Sequence, residues 1–129
     1  MNSKIQDLDP GWTYDDHLPF TPGRLVGDNI YVAGCVALNA DGQLVGAGDI
    51  KAQTRQVFEN IRTILALAGA GLDDIVTINV YLTSRDYYKG QIEVRKELFK
   101  RYPCATVVAV QGLGRPEWLI EVEAMAIKP

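Results

Sequence analysis

The chain has 129 residues, 47% hydrophobic, 22% charged and 9% aromatic, which fits one globular core and excludes a disordered or fibrous chain. Thirteen Lys and Arg against sixteen Asp and Glu leave a net charge of −3, with no basic surplus to meet a phosphate backbone, so nucleic acid is not an expected partner. No apolar run approaches the length of a membrane span and no apolar leader fills the first ten residues, so neither membrane nor secretion is expected. Cys35, Cys104 and the lone His17 supply neither zinc ligands nor a disulfide framework, and the expectation is a cytoplasmic protein with reduced thiols and no metal.

One domain over residues 1–129 is expected, with residues 1–18 mostly irregular. The first 28 residues are rich in Pro, Gly and Asp and predict mostly loop with one short strand. Asn29 to Ala37 is β-like, and Asn39-Ala40-Asp41-Gly42 supplies turn residues before Gln43-Leu44-Val45, which predicts a hairpin. Asp49 is a suitable N-cap for a helix whose Val57, Ile61, Ile64, Leu65 and Ala68 fall on one stripe, ended by Gly69 or Gly71. Ile75 to Leu82 alternates as a strand, with Val76, Ile78, Val80 and Leu82 on one side and Ile75, Thr77, Asn79 and Tyr81 on the other. Ser84 caps a second helix carrying Tyr87, Val94 and Leu98, which must stop before Pro103. Strands near Ala105–Val110 and Trp118–Ile127 complete the chain.

This order predicts an α+β fold, a mixed β-sheet with two helices packed on one face. In the last strand Ile120, Val122, Ala124 and Ala126 suit the helix side, leaving Leu119, Glu121, Glu123, Met125 and Ile127 with Thr77, Asn79 and Tyr81 on the other. That second face is too apolar for open water and too polar for a dry core, so other subunits are expected to cover it, with polar pockets between them.

Glu121 is the sharpest candidate for chemistry, because alternation places it on the helix-free face, where partial burial would raise its pKa toward a general acid or base. Glu123 is two residues on, roughly 7 Å away along a strand, and a paired-carboxylate glycosidase is set aside. Cys104 and Cys35 read as compact thiols, since a nucleophile would need a base and the only histidine lies in the N-terminal loop. Arg24 and Arg115 each sit in a Gly- and Pro-containing loop and have the chemistry to hold a carboxylate bidentately. Gly112-Leu113-Gly114-Arg115-Pro116 lacks the pattern of a phosphate cradle.

Several segments in succession resemble one family. Pro19-Phe20-Thr21, Ile30-Tyr31-Val32-Ala33-Gly34, Ala52-Gln53-Thr54-Arg55-Gln56-Val57-Phe58-Glu59-Asn60-Ile61, Asp74-Ile75-Val76 with Val80-Tyr81-Leu82, Tyr102-Pro103 and Ile120-Glu121-Val122-Glu123-Ala124 follow in the order of the Rid (YjgF-like) family, also described as L-PSP endoribonuclease. The resemblance implies a chorismate-mutase-like subunit in a homotrimer around a central β-barrel, with cofactor-independent sites at the interfaces. It implies hydrolysis of reactive 2-imino or 2-enamino acids to 2-oxo acids and ammonia, with Glu121 positioning the water and Gly34 beside the ligand. The Arg that clamps the substrate carboxylate in archetypal members is replaced by Ala105, after Pro103-Cys104; the family's Tyr is Phe20, and the position that often holds Asn is Ile92. Two readings result. In one, the chain is an imine or enamine deaminase-like hydrolase, with Phe20, Trp118 and Val107 walling a pocket near Gly34, Cys35 and Cys104, and with Arg115 or Arg24 replacing the clamp. In the other, the same trimer binds a metabolite without turnover or serves as a scaffold.

Overall fold

The computed structural model describes residues 2–129. Eight regular elements follow in order: β1 (Ile5–Leu8), β2 (Gly23–Val26), β3 (Asn29–Cys35), α1 (Ile50–Ala66), β4 (Ile75–Leu82), α2 (Tyr88–Leu98), β5 (Cys104–Ala109) and β6 (Ile120–Ile127). The strands form one mixed sheet in the order β1-β2-β3-β6-β4-β5, with β4 and β5 parallel and the remaining neighbours antiparallel. The fold is α+β, as the order of elements predicts, and α1 lies against β3, β6 and α2.

Local chemistry accounts for most boundaries. The Asp49 carboxylate accepts from the Ala52 amide at 3.1 Å and starts α1, which buries Val57, Phe58, Ile61, Ile64 and Leu65 on one stripe before the chain turns at Gly69. Ser84 Oγ accepts from the Asp86 amide and caps a short 3-10 turn that runs into α2; that helix ends at Leu98, ahead of Pro103. The core joins the α1 stripe to Ile30 and Val32 of β3, Ile78, Val80 and Leu82 of β4, and Ile120, Val122, Ala124 and Ala126 of β6. Phe58 meets Phe99 edge to face, with ring centroids 5.3 Å apart.

Three expectations are corrected. The first 28 residues supply two strands instead of one, because β1 and β2 extend the sheet beyond β3. The turn at Asn39–Gly42 forms, with the Asn39 amide donating to the Gln43 carbonyl, but Gln43–Val45 makes only an isolated bridge at Leu38–Leu44. The hairpin partner of β3 is β2 through the two-residue turn Gly27-Asp28, where Gly27 at φ 61° takes the left-handed conformation that such turns require. The pairing of β4 with β6 also slips between Ile75 and Thr77, which buries Ile75 and leaves Val76 46% exposed, reversing the sides that simple alternation assigns to these two residues.

The side of the sheet away from the α1 stripe carries Tyr31, Thr77, Asn79, Tyr81, Glu123 and Met125, none of them fully buried. β5 closes the sheet at one edge, and most of its residues are exposed.

Candidate functional site

The site begins at an irregularity in β3. Val32 pairs with Ala124 and Cys35 with Val122, so β3 holds one more residue than β6 over this stretch and bulges at Ala33-Gly34. The bulge brings backbone against the side chain of Glu121, one residue beyond Val122 on β6. A Cβ built on Gly34 would overlap the Glu121 carboxylate and stand 3.0 Å from its Cδ, so only glycine permits this approach.

Glu121 is half-buried, and no side chain or backbone donor among the described residues reaches its carboxylate. Burial holds its pKa above the ordinary carboxylate range, and the nearby charge of Glu123 raises it further. Glu123 differs in kind: Asn79 Nδ2 donates to it at 3.1 Å and the Tyr81 hydroxyl at 2.6 Å, which raises the tyrosine pKa. One strand thus carries a carboxylate tied into the sheet and another with its hydrogen-bonding capacity free for a ligand.

Glu121 opens into a cavity of about 580 Å³. Phe20, Gly34, Cys35, Arg115 and Trp118 line it as well, so six of the residues singled out from sequence meet in one place. The Arg115 guanidinium lies over the Trp118 ring, 5.3 Å from its centroid, and pairs with no carboxylate among the described residues. The Trp118 indole N–H is buried without a partner. The Cys35 thiol is buried beside Glu121; burial, then the charge of Glu121, pushes it up to about 12, so it is neutral at physiological pH. The loop carrying Arg115 and Trp118 is anchored by the fully buried Gln53, whose Nε2 donates to the carbonyls of Gly46 (3.1 Å) and Glu117 (3.0 Å) and whose Oε1 accepts from the Leu119 amide (2.9 Å).

The other expected residues lie elsewhere in the subunit. Ile92 is half-buried on α2, and Cys104 and Ala105 are exposed on β5. Val107 is half-buried on β5 beside Val80 and does not line the Glu121 cavity of its own subunit. Arg24 is also separate, held by Asp7 at 3.1 Å and lining a groove on the open sheet face with Asn79, Glu123 and Met125.

Sequence reasoning missed Trp12, Tyr14 and Asp15, which line the cavity from the N-terminal segment. Burial, followed by the charges of Asp15 and Cys35, pushes the Tyr14 phenol up to about 12. Two large aromatics in a Pro- and Asp-rich stretch were the available signal, since such side chains seek cover even in irregular backbone. No cluster of three His, Cys, Asp or Glu able to hold a metal ion occurs among the described residues, and no helix in them is long and apolar enough to cross a membrane.

The sequence pattern of the Endoribonuclease L-PSP family matches residues 15–128, nearly the whole chain. The chain belongs to the Rid (YjgF-like) family. A RutC family protein of Pyrococcus abyssi is 39% identical over 111 residues, covering 85% of this chain and 87% of that one. The structure of YyfA, a Rid family protein from Yersinia pestis, superposes with a TM-score of 0.87 at 27% identity, over 95% of this chain and 98% of that one. TdcF of Escherichia coli, solved with bound serine, gives a TM-score of 0.80 at 26% identity, over 86% and 89% of the two chains. Within this Rid fold, position 105 is alanine, and Arg115 is the arginine that lines the Glu121 cavity.

Proposed function

We propose that this Rid protein hydrolyses an imine, enamine or related C–N bond of a small molecule, with Glu121 as the group that positions and activates water. The observation that carries the reading is the Glu121 carboxylate itself: half-buried, raised in pKa, without a protein donor, and set against Gly34 in a cavity that also holds Arg115. Water adds to the imine carbon while Glu121 takes its proton; the same carboxyl returns that proton to nitrogen. Collapse of the carbinolamine releases ammonia and leaves a carbonyl, so one imine and one water give one carbonyl compound and one ammonia. A carboxyl raised toward the working pH suits both transfers. Arg115 takes the anion-binding role that Ala105 lacks, because it lines the Glu121 cavity, whereas Arg24 lines the groove on the open sheet face. Nuclease activity is disfavoured by the net charge of −3 and by a cavity with Asp15 and Glu121 in its wall.

The reading includes assembly as a homotrimer. Ile92, Cys104, Ala105 and Val107 do not line the Glu121 cavity of their own subunit, so in this reading they serve the cavity of another copy, and the half-covered sheet face with the exposed edge strand β5 supports contact between copies.

Ammonia release from freshly generated 2-aminoacrylate, and from neutral and longer enamines, tests the reaction. Glu121→Gln is expected to fall to the uncatalysed rate. Arg115→Ala is expected to raise KM for carboxylate substrates roughly 10- to 100-fold, the value of a charged hydrogen bond. Equal, uncatalysed rates in wild type and Glu121→Gln would overturn the hydrolase and leave a trimer that binds without turnover.

A further inference from the structure

Glu121 and Arg115 occupy only part of the cavity they share. In the single subunit it measures about 580 Å³, within the roughly 300–1,000 Å³ range of pockets that enclose drug-sized ligands. Allowing roughly 30 Å³ per heavy atom, the share of one water in the liquid, a substrate of six heavy atoms fills about a third of it.

Apart from Asp15, His17 and Asn60, the remaining side chains of the lining are mainly apolar, Trp12, Tyr14, Leu18, Phe20, Leu38 and Ile64 among them. Trp12 and Tyr14 stack with centroids 6.1 Å apart and planes within 17°, a pair of near-parallel rings held by an otherwise irregular segment. Leu18 and Phe20 remain 46% and 47% exposed, an apolar rim that nothing in the subunit covers. Asn60, the one amide side chain in the wall, has its Nδ2 committed to the carbonyls of Val36 (3.0 Å) and Leu38 (2.8 Å), and its Oδ1 accepts from Gln56. The Trp118 face is already taken by Arg115.

We infer that the surface from Trp12 and Tyr14 to Leu38 and Ile64 is a subsite for an aromatic or bulky branched apolar group. The preferred ligand is then amphipathic, with a compact polar end at Glu121 and Arg115 and an apolar body larger than a methyl or methylene. The polar end rests on the hydrolytic reading above; the apolar subsite does not require turnover and is tested without it.

Trp12 and Trp118 are the chain's two tryptophans and both line the cavity, so tryptophan emission reports directly on its occupancy. The full-length protein is titrated with 3-phenylpropanoate and with propanoate, which share a carboxylate and do not react, and Kd is measured by calorimetry alongside the emission. Burying half of an aromatic group's roughly 150 Å² predicts at least about tenfold tighter binding of the phenyl compound. Val36→Phe fills the cavity from a half-buried wall position and Trp12→Ala removes one ring of the stacked pair; each is expected to reduce the preference below about threefold. Val36→Phe carries the test if Trp12→Ala does not fold. Equal affinities in wild type, no saturable binding of 3-phenylpropanoate, or a preference unmoved in the folded variants would overturn the subsite. Tight phenyl binding without ammonia release from any enamine overturns only the hydrolase; ammonia release without a phenyl preference overturns only the subsite.

Discussion

Gly34→Ala separates the placement of Glu121 from the stability of the fold. The added Cβ would lie 3.0 Å from Glu121 Cδ and 3.2 Å from Cγ, and closer still to one carboxylate oxygen. Ordinary contact begins near 3.4 Å, so Cδ must retreat by about 0.4 Å and the nearer oxygen by at least twice that. The obstructing atoms are the far end of a flexible side chain, so the glutamate moves and the β3 backbone stays. Pushing a side chain off its preferred rotamer costs roughly 0.5–1.5 kcal/mol, which lowers the unfolding midpoint by only a few degrees, about 2–6 °C. A displacement approaching 1 Å of the group that positions the nucleophile costs on the order of 100-fold in rate. Thermal unfolding and ammonia release on the same preparation therefore part company: small change in the first, large loss in the second. Retention of activity within about threefold, or collapse of the fold, would refute the placement of Glu121 against Gly34 as the basis of the site.

Three further predictions rest on other parts of the molecule. Gln53→Ala removes the partner of the Gly46 and Glu117 carbonyls and the Leu119 amide, and at roughly 1–3 kcal/mol for each buried group left unpaired it should lower the unfolding midpoint by at least about 5 °C in a thermal melt. Iodoacetamide should spare Cys35, buried with its thiol at about 12, under native conditions and label it after denaturation; mass spectrometry of the peptide counts both, and native labelling at the denatured rate would contradict its enclosure. Light scattering at micromolar concentration should give about three times the 14.2 kDa chain mass, and a monomer would contradict the assembly through the open sheet face.

How far the sequence could be read depended on whether a signal was local. The Asp49 cap, the α1 stripe and the β6 alternation are written in neighbouring residues, so the α+β architecture and the position of Glu121 were legible. The hairpin was misassigned for a physical reason: Asn39–Gly42 is a true turn, but the hydrogen-bonding edges of β3 are taken by β2 and β6, and β6 comes from the far end of the chain. Register is equally non-local. A slip of one residue buries Ile75 and exposes Val76, which does not follow from alternation within one strand. Trp12 and Tyr14 escaped notice because no periodicity marks a segment whose order comes from packing against β3 and the Gly42 turn.

The central claim is that Glu121 activates water. Its raised pKa makes the protonated form easier to populate, so the native state is favoured below the unfolded carboxyl's pKa, and that contribution is lost as pH rises through the folded value. Activity that begins with proton abstraction runs the other way, falling as pH drops through the raised pKa. The most direct measurement is kcat/KM for ammonia release from an enamine substrate between about pH 4 and 9, corrected for the uncatalysed reaction, in wild type and Glu121→Gln. Wild type should show an acid limb with its midpoint above the ordinary carboxylate range, and Glu121→Gln should remain at the uncatalysed level throughout; a variant as active as wild type, with the same acid limb, would contradict the account.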